Sequence, residues 1–141
     1  MLNFNLYYLR FFTSLIAILS FFNILYSYYF NLYLNVDSYF FTLLISTIPL
    51  ITIFFVKKRE TKISIYYKII TVISGYLILP IFISLPYYLS IYNISFLDSY
   101  FEAISGFTST GFTIFYNIKH LDESLILWRS SSQWIGGLYF L

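Results

Sequence analysis

Cysteine is absent from the 141 residues. That excludes a disulfide framework, thiol catalysis and any cysteine metal site. Charge is nearly as scarce. Eight Lys and Arg against six Asp and Glu make only 10% of the chain, with a net charge of +2. Soluble domains carry about 25% charged residues. So small a surplus holds no signal for nucleic acid, and no nucleic-acid partner is expected. There is one histidine. His120, Asp122 and Glu123 are therefore the sole grouping that resembles a metal site, and their spacing fits none of the established ones. No polar dyad lies within the long apolar runs, so neither catalytic residues nor a cofactor is expected.

What fills the chain is apolar: 60% of its residues are hydrophobic. Runs of this kind define an integral membrane protein, all-α and multi-pass, with lipid around it. The 17 Phe and 16 Tyr are too many and too evenly spread to form two interfacial belts. A codon bias toward Phe, Tyr, Ile, Asn and Lys accounts for them better.

Between Arg10 and Asp37 lie 26 uncharged residues, enough for one tilted span. Bulky Tyr and Phe near its end argue against a signal-peptide cleavage site, and Asn23 inside it is expected to bond to a neighbouring helix. Ser38 to Val56 gives 19 more, a second span with Pro49 inside it. Residues 1–56 thus read as an accessory pair. Residues 57–68 form a basic loop in which Lys57, Lys58, Arg59, Lys62 and Lys68 supply five of the eight basic residues. Positive loops face the cytoplasm, which puts the N-terminus there too. Ile69 to Leu97 is a third uncharged run of 29 residues, punctuated by Pro80 and Pro86.

From Phe96 the pattern changes. Leu97, Tyr100, Phe101, Ile104 and Phe107 recur at helical spacing, with Ser95 and Asp98 placed for a capping box. The helix predicted is about 12 residues or 18 Å long, too short for a bilayer core of about 30 Å. It runs into Thr108-Ser109-Thr110-Gly111-Phe112-Thr113, rich in hydroxyls and neither helix nor strand in character. Irregular backbone at membrane depth is tolerated where protein buries it or water reaches it. A re-entrant pore loop meets that condition: the helix C-terminus is electron-rich, and the carbonyls behind it can replace a cation's water. Gly111 permits backbone angles closed to other residues. The segment also nearly matches a phosphate-binding loop, but Phe112 stands where that motif needs lysine. Asp98 and Glu102 are expected as acids of an outer mouth that concentrates cations.

A last run, Ser124 to Leu141, reads as a final span. Trp128 and Trp134 suit an interface. Arg129 either snorkels or bonds to loop carbonyls near the surface, or it sits behind the loop and holds its carbonyls in place. Gly136-Gly137 points to close helix packing or a hinge.

Two blocks carry a resemblance. Phe101 to Thr113, FEAISGFTSTGFT, followed by Ser124 to Ser130, SLILWRS, and Gln133 to Gly137, QWIGG, resemble the first pore loop and second pore helix of the Trk/Ktr potassium-uptake proteins. The resemblance implies a potassium-channel-like helix–pore loop–helix unit over residues 69–141. In all it implies about four spanning helices plus one re-entrant helix, in the plasma (inner) membrane. It further implies that K⁺ is the transported ion, coordinated by the main-chain oxygens of Thr108, Ser109, Thr110 and Gly111, with Phe112 and Thr113 flanking. A homodimer and a cytosolic nucleotide-binding regulatory subunit are the partners it implies. That family's pore is built from four such loops, and this sequence holds one, so an N-terminal fragment is expected ahead of a self-assembling tetramer. The alternative function is a non-transporting scaffold subunit of a membrane complex.

Overall fold

The computed structural model describes residues 6–51 and 65–140. Among them the architecture is all-helical. It comprises α1 (Leu6–Tyr29), α2 (Val36–Ile51), α3 (Ile65–Tyr88), α4 (Phe96–Phe107) and α5 (Glu123–Phe140), with two short 3₁₀ turns at Tyr33–Asn35 and Ile118–His120. The core of the basic loop, residues 57–64, lies outside the described residues, and from Ile65 the chain is helical.

Among the described residues, three stretches are helical, long and apolar enough to cross a membrane: Tyr8–Tyr29, Tyr33–Ile51 and Ile65–Tyr88. The expected fourth, α5, has 18 residues, about 27 Å of helix, so length is not what separates it. Arg129, Ser130-Ser131-Ser132 and Gln133 make its middle polar. Pro49, Pro80 and Pro86 all lie within helices rather than ending them.

α1 and α2 form an antiparallel hairpin. Helix α1 closes on Asn31, whose φ of 57° is left-handed. The Leu32 amide then donates back to the Ser27 carbonyl at 2.8 Å, the bond that stops a helix at such a residue. The Ser20 hydroxyl donates to the Tyr39 carbonyl at 2.7 Å and sets the register of the pair. Asn23 is fully buried, yet its amide meets no protein partner among the described residues. The interhelical bond expected of it does not form among the described residues, where the buried Ser27 and Ser46 hydroxyls are likewise unpaired.

α3, α4 and α5 make the second unit. α4 starts as its sequence suggests: the Ser95 hydroxyl accepts from the Asp98 amide at 3.2 Å and donates to the Asp98 carboxylate at 2.7 Å. α4 then runs back along α3. Phe96 packs on Tyr88 at the top of α3. The Tyr100 hydroxyl reaches the Leu77 carbonyl, and Phe107 meets the ring of Tyr76 with centroids 5.4 Å apart. Tyr76 is midway along α3, so α4 ends halfway down its neighbour.

The face that α4 buries takes only the Phe107 end of its apolar stripe. Ser99, Glu102, Ala103, Ser105, Gly106 and Phe107 are buried, while Leu97 is 77% exposed and Phe101 half-exposed. Small residues inside let backbones approach closely, and apolar ones outside suit lipid or further protein. The approach is closest at α5. A Cβ on Gly136 would overlap the Phe107 carbonyl, and one on Gly106 would crowd the Ser132 hydroxyl. Phe107 also joins Tyr139 and, through it, Phe12 in one aromatic cluster. Gly136→Leu is therefore expected to force α5 off the end of α4. It should destabilise by about 1–3 kcal/mol, the usual cost of overpacking, seen as a lower melting midpoint by circular dichroism in detergent.

Trp128 is buried, against the interfacial place expected of it, because its indole N–H donates to the Ile83 carbonyl at 3.0 Å. Trp134 is 70% exposed.

Candidate functional site

The loop after α4 is built by its own backbone first. Ser109 takes a left-handed φ of 56°. Its amide donates to the Gly106 carbonyl at 2.9 Å, and the Thr110 amide to the Ser105 carbonyl at 3.1 Å. This pair of bonds is the Schellman stop, made here on serine in place of the usual glycine. Gly111 follows with a φ of 80°, so the chain reverses over two left-handed residues in three. The hydroxyls lock the turn. Thr110 donates to the Ser105 carbonyl at 3.2 Å, and Ser105 donates to the Phe112 carbonyl at 2.6 Å.

Among the described residues, nothing in the protein donates a hydrogen bond to the carbonyl oxygens of Thr108, Ser109 or Thr110. These three exposed residues stand at the C-terminus of α4, where the helix dipole places roughly half a negative charge. Below them lies a cleft of about 290 Å³ lined by Tyr76, Phe107, Thr108, Ser109, Gly136 and Phe140, among others.

The limb of the loop from Gly111 to Ile114 is held from behind by an ion pair. Glu102, 0% exposed, meets Arg129, 8% exposed, with Oε1 to Nη1 at 3.1 Å. Arg129 Nη2 donates to the carbonyls of Gly111 at 3.3 Å and Phe112 at 3.2 Å. Glu102 accepts from the Ile114 amide at 3.0 Å and from the Thr113 hydroxyl at 3.2 Å. Two charges buried together are tolerable only when their remaining lone pairs and protons are also satisfied, and here loop backbone does much of that. Arg129 thus bonds to the loop's carbonyls from the buried side.

The two acids named from the sequence do different things. Asp98 caps α4. Glu102 is on the buried face, with its carboxylate committed to Arg129, Thr113 and Ile114, and so does not stand at a solvent-facing mouth. One signal in the sequence pointed there: Glu102 and Arg129 are a lone acid and a lone base in segments otherwise nearly free of charge, and such residues usually pair. Asp122 is taken up by hydrogen bonds to Asn35 and Ser124.

A half-length helix, two left-handed residues, a row of carbonyls with no donor among the described residues and an ion pair behind the limb that follows make up one helix–loop–helix unit. Comparison with known proteins gives the chain relatives. The chain is 37% identical over 90 residues to an uncharacterized cation transporter of Methanocaldococcus jannaschii, covering 62% of this chain and 19% of that protein. It is 42% identical over 57 residues to the Trk system potassium uptake protein TrkI of Halomonas elongata, covering 40% of this chain and 12% of the relative. The Trk system potassium uptake protein TrkG of Escherichia coli K12 matches at 39% over 46 residues, 33% of this chain and 10% of TrkG. Over these parts, the chain is a homologue of the Trk potassium uptake proteins, which are transporters rather than enzymes. The matches span between a tenth and a fifth of the relatives' length. No family model matches the chain, and no solved structure does.

Proposed function

We propose that residues 108–112 form one wall of a potassium pathway in a Trk/Ktr-like uptake system. The observation that carries this reading is the row of unbonded carbonyls at Thr108, Ser109 and Thr110, presented at the negative end of α4 and fixed from behind. Peptide oxygens in such a row substitute for a potassium ion's hydration shell. Gly111 supplies the reversal and shares its oxygen with Arg129, while Phe112 and Thr113 flank the ion. On this reading α4 enters the membrane from outside and ends near its middle, as its ending beside Tyr76 suggests. The N-terminus and the basic loop then face the cytoplasm across a plasma (inner) membrane. A second copy of the full-length subunit and a cytosolic nucleotide-binding regulator are the partners proposed.

The test is a chimaera. Residues 96–137 replace the matching segment of E. coli TrkG in a cell without other potassium uptake, and growth at limiting potassium is scored. Restored growth is expected. A chimaera that reaches the membrane yet restores nothing removes the ion-pathway reading and leaves the scaffold one.

A further inference from the structure

Neither the ion pair nor the loop explains a second buried polar network, centred on Asn35. Asn35 sits in the turn between α1 and α2 and is 2% exposed. Its Nδ2 donates to the Asp122 carboxylate at 3.0 Å, and its Oδ1 accepts from the Ile91 amide at 3.2 Å. Ile91 belongs to the connection that leads into α4. Asp122 belongs to the connection that leads from the loop into α5. One side chain from the α1–α2 hairpin therefore holds both outer connections of the helix–loop–helix unit.

The surroundings close the network. The Ser124 hydroxyl donates to the same Asp122 carboxylate. One turn further along α2, Tyr39 shares a hydrogen bond with Ser124 at 2.8 Å. The Asp122 amide donates to the Tyr92 hydroxyl at 2.9 Å. The Tyr92 ring packs edge-on against Phe115 at 6.3 Å. Phe115 lies on the limb that climbs out of the loop, and its amide donates to the Thr113 hydroxyl, which in turn donates to Glu102. Contacts thus run without a gap from Asn35 to the residues behind Gly111. Contiguity alone is not coupling, so the claim needs a measurement.

We propose that Asn35 is a positioning residue, through which the α1–α2 hairpin fixes the spacing of the two outer connections and so the seat of the loop's climbing limb. This assigns the hairpin a task beyond anchoring. It does not rest on the identity of the ion.

The test uses the full chain in lipid nanodiscs. Its lack of cysteine allows spin labels to be placed in pairs without background. Leu97 and Tyr116, both strongly exposed, report the spacing within the helix–loop–helix unit; Leu34 and Tyr116 report the docking of the hairpin. In Asn35→Leu the Asp122 carboxylate and the Ile91 amide lose a shared buried partner, and the Leu97–Tyr116 distance distribution is expected to broaden about two-fold. The reciprocal swap N35D/D122N puts the acceptor on residue 35 and the donor on residue 122, and should restore the wild-type width. Ser20→Ala disturbs only the hairpin and should leave Leu97–Tyr116 unchanged. If Asn35→Leu does not insert, Tyr92→Phe decides, since it keeps the ring and removes the hydroxyl that takes the Asp122 amide. Broadening of Leu34–Tyr116 alone, with Leu97–Tyr116 at wild-type width in both variants, would overturn the proposal and reduce Asn35 to a local tether.

Discussion

Arg129→Leu is expected to cost the fold about 3–5 kcal/mol, because it strands the Glu102 carboxylate in a fully buried site. The same variant leaves the Gly111 and Phe112 carbonyls without the guanidinium that now holds them. Two consequences separate in the double variant E102L/R129L. Replacing a buried pair by apolar side chains often recovers stability. The melting midpoint in detergent should therefore move back toward wild type. The loop should not recover, because the Ile114 amide and the Gly111 carbonyl still lack their partners and the Phe112 carbonyl keeps only the Ser105 hydroxyl. In the TrkG chimaera, uptake should stay at least about ten-fold down in the double variant, equivalent to some 1.4 kcal/mol in the barrier. A double variant that melts like wild type and also transports like it would show that the pair stabilises the protein without shaping the loop.

This ion pair also marks how far the sequence could be read. Three of the four expected spans were legible because length and hydropathy are additive properties of a run, and lipid tolerates little else. The start of α4 was legible because a cap is local: Ser95 and Asp98 are three residues apart. The loop could be placed because serine, threonine and glycine in succession are poor helix formers. The orientation of α4 was not legible. Its apolar stripe marks one helix face without saying where that face points, and the helix turns Leu97 and Phe101 outward while burying Phe107 and, among small residues, Glu102. In water that stripe would have to be inside; beside lipid or further protein it need not be, so periodicity gives the helix but not its inner side. Trp128 was misplaced for a related reason, since an indole suits both an interface and a buried carbonyl. The Asn35–Asp122 bond spans 87 residues, and no local pattern encodes a contact at that separation.

Gly111→Val is expected to abolish growth of the chimaera at limiting potassium while leaving its insertion in the membrane unchanged. The reason is conformational rather than steric. A Cβ built on Gly111 meets no atom within 4 Å, so the position has room for a side chain. What it lacks is a backbone that such a side chain accepts, since φ is 80°. A left-handed conformation costs an ordinary residue roughly 1–2 kcal/mol, and a β-branched one is a true outlier there. The loop can relieve that strain by turning the 110–111 and 111–112 peptides, for the limb beyond Gly111 is exposed on one side. Turning them swings the Thr110 carbonyl out of the row and breaks the contact of the Gly111 carbonyl to Arg129. The spans are untouched, so insertion and the bulk of the melting transition should survive, which separates this variant from Arg129→Leu. Gly111→Asn is the graded companion, because asparagine enters the left-handed region more readily than valine. Growth in the order glycine, asparagine, valine is the expected outcome. Equal growth in all three would mean that the backbone at residue 111 does not set the path of an ion, and that the loop only joins two helices.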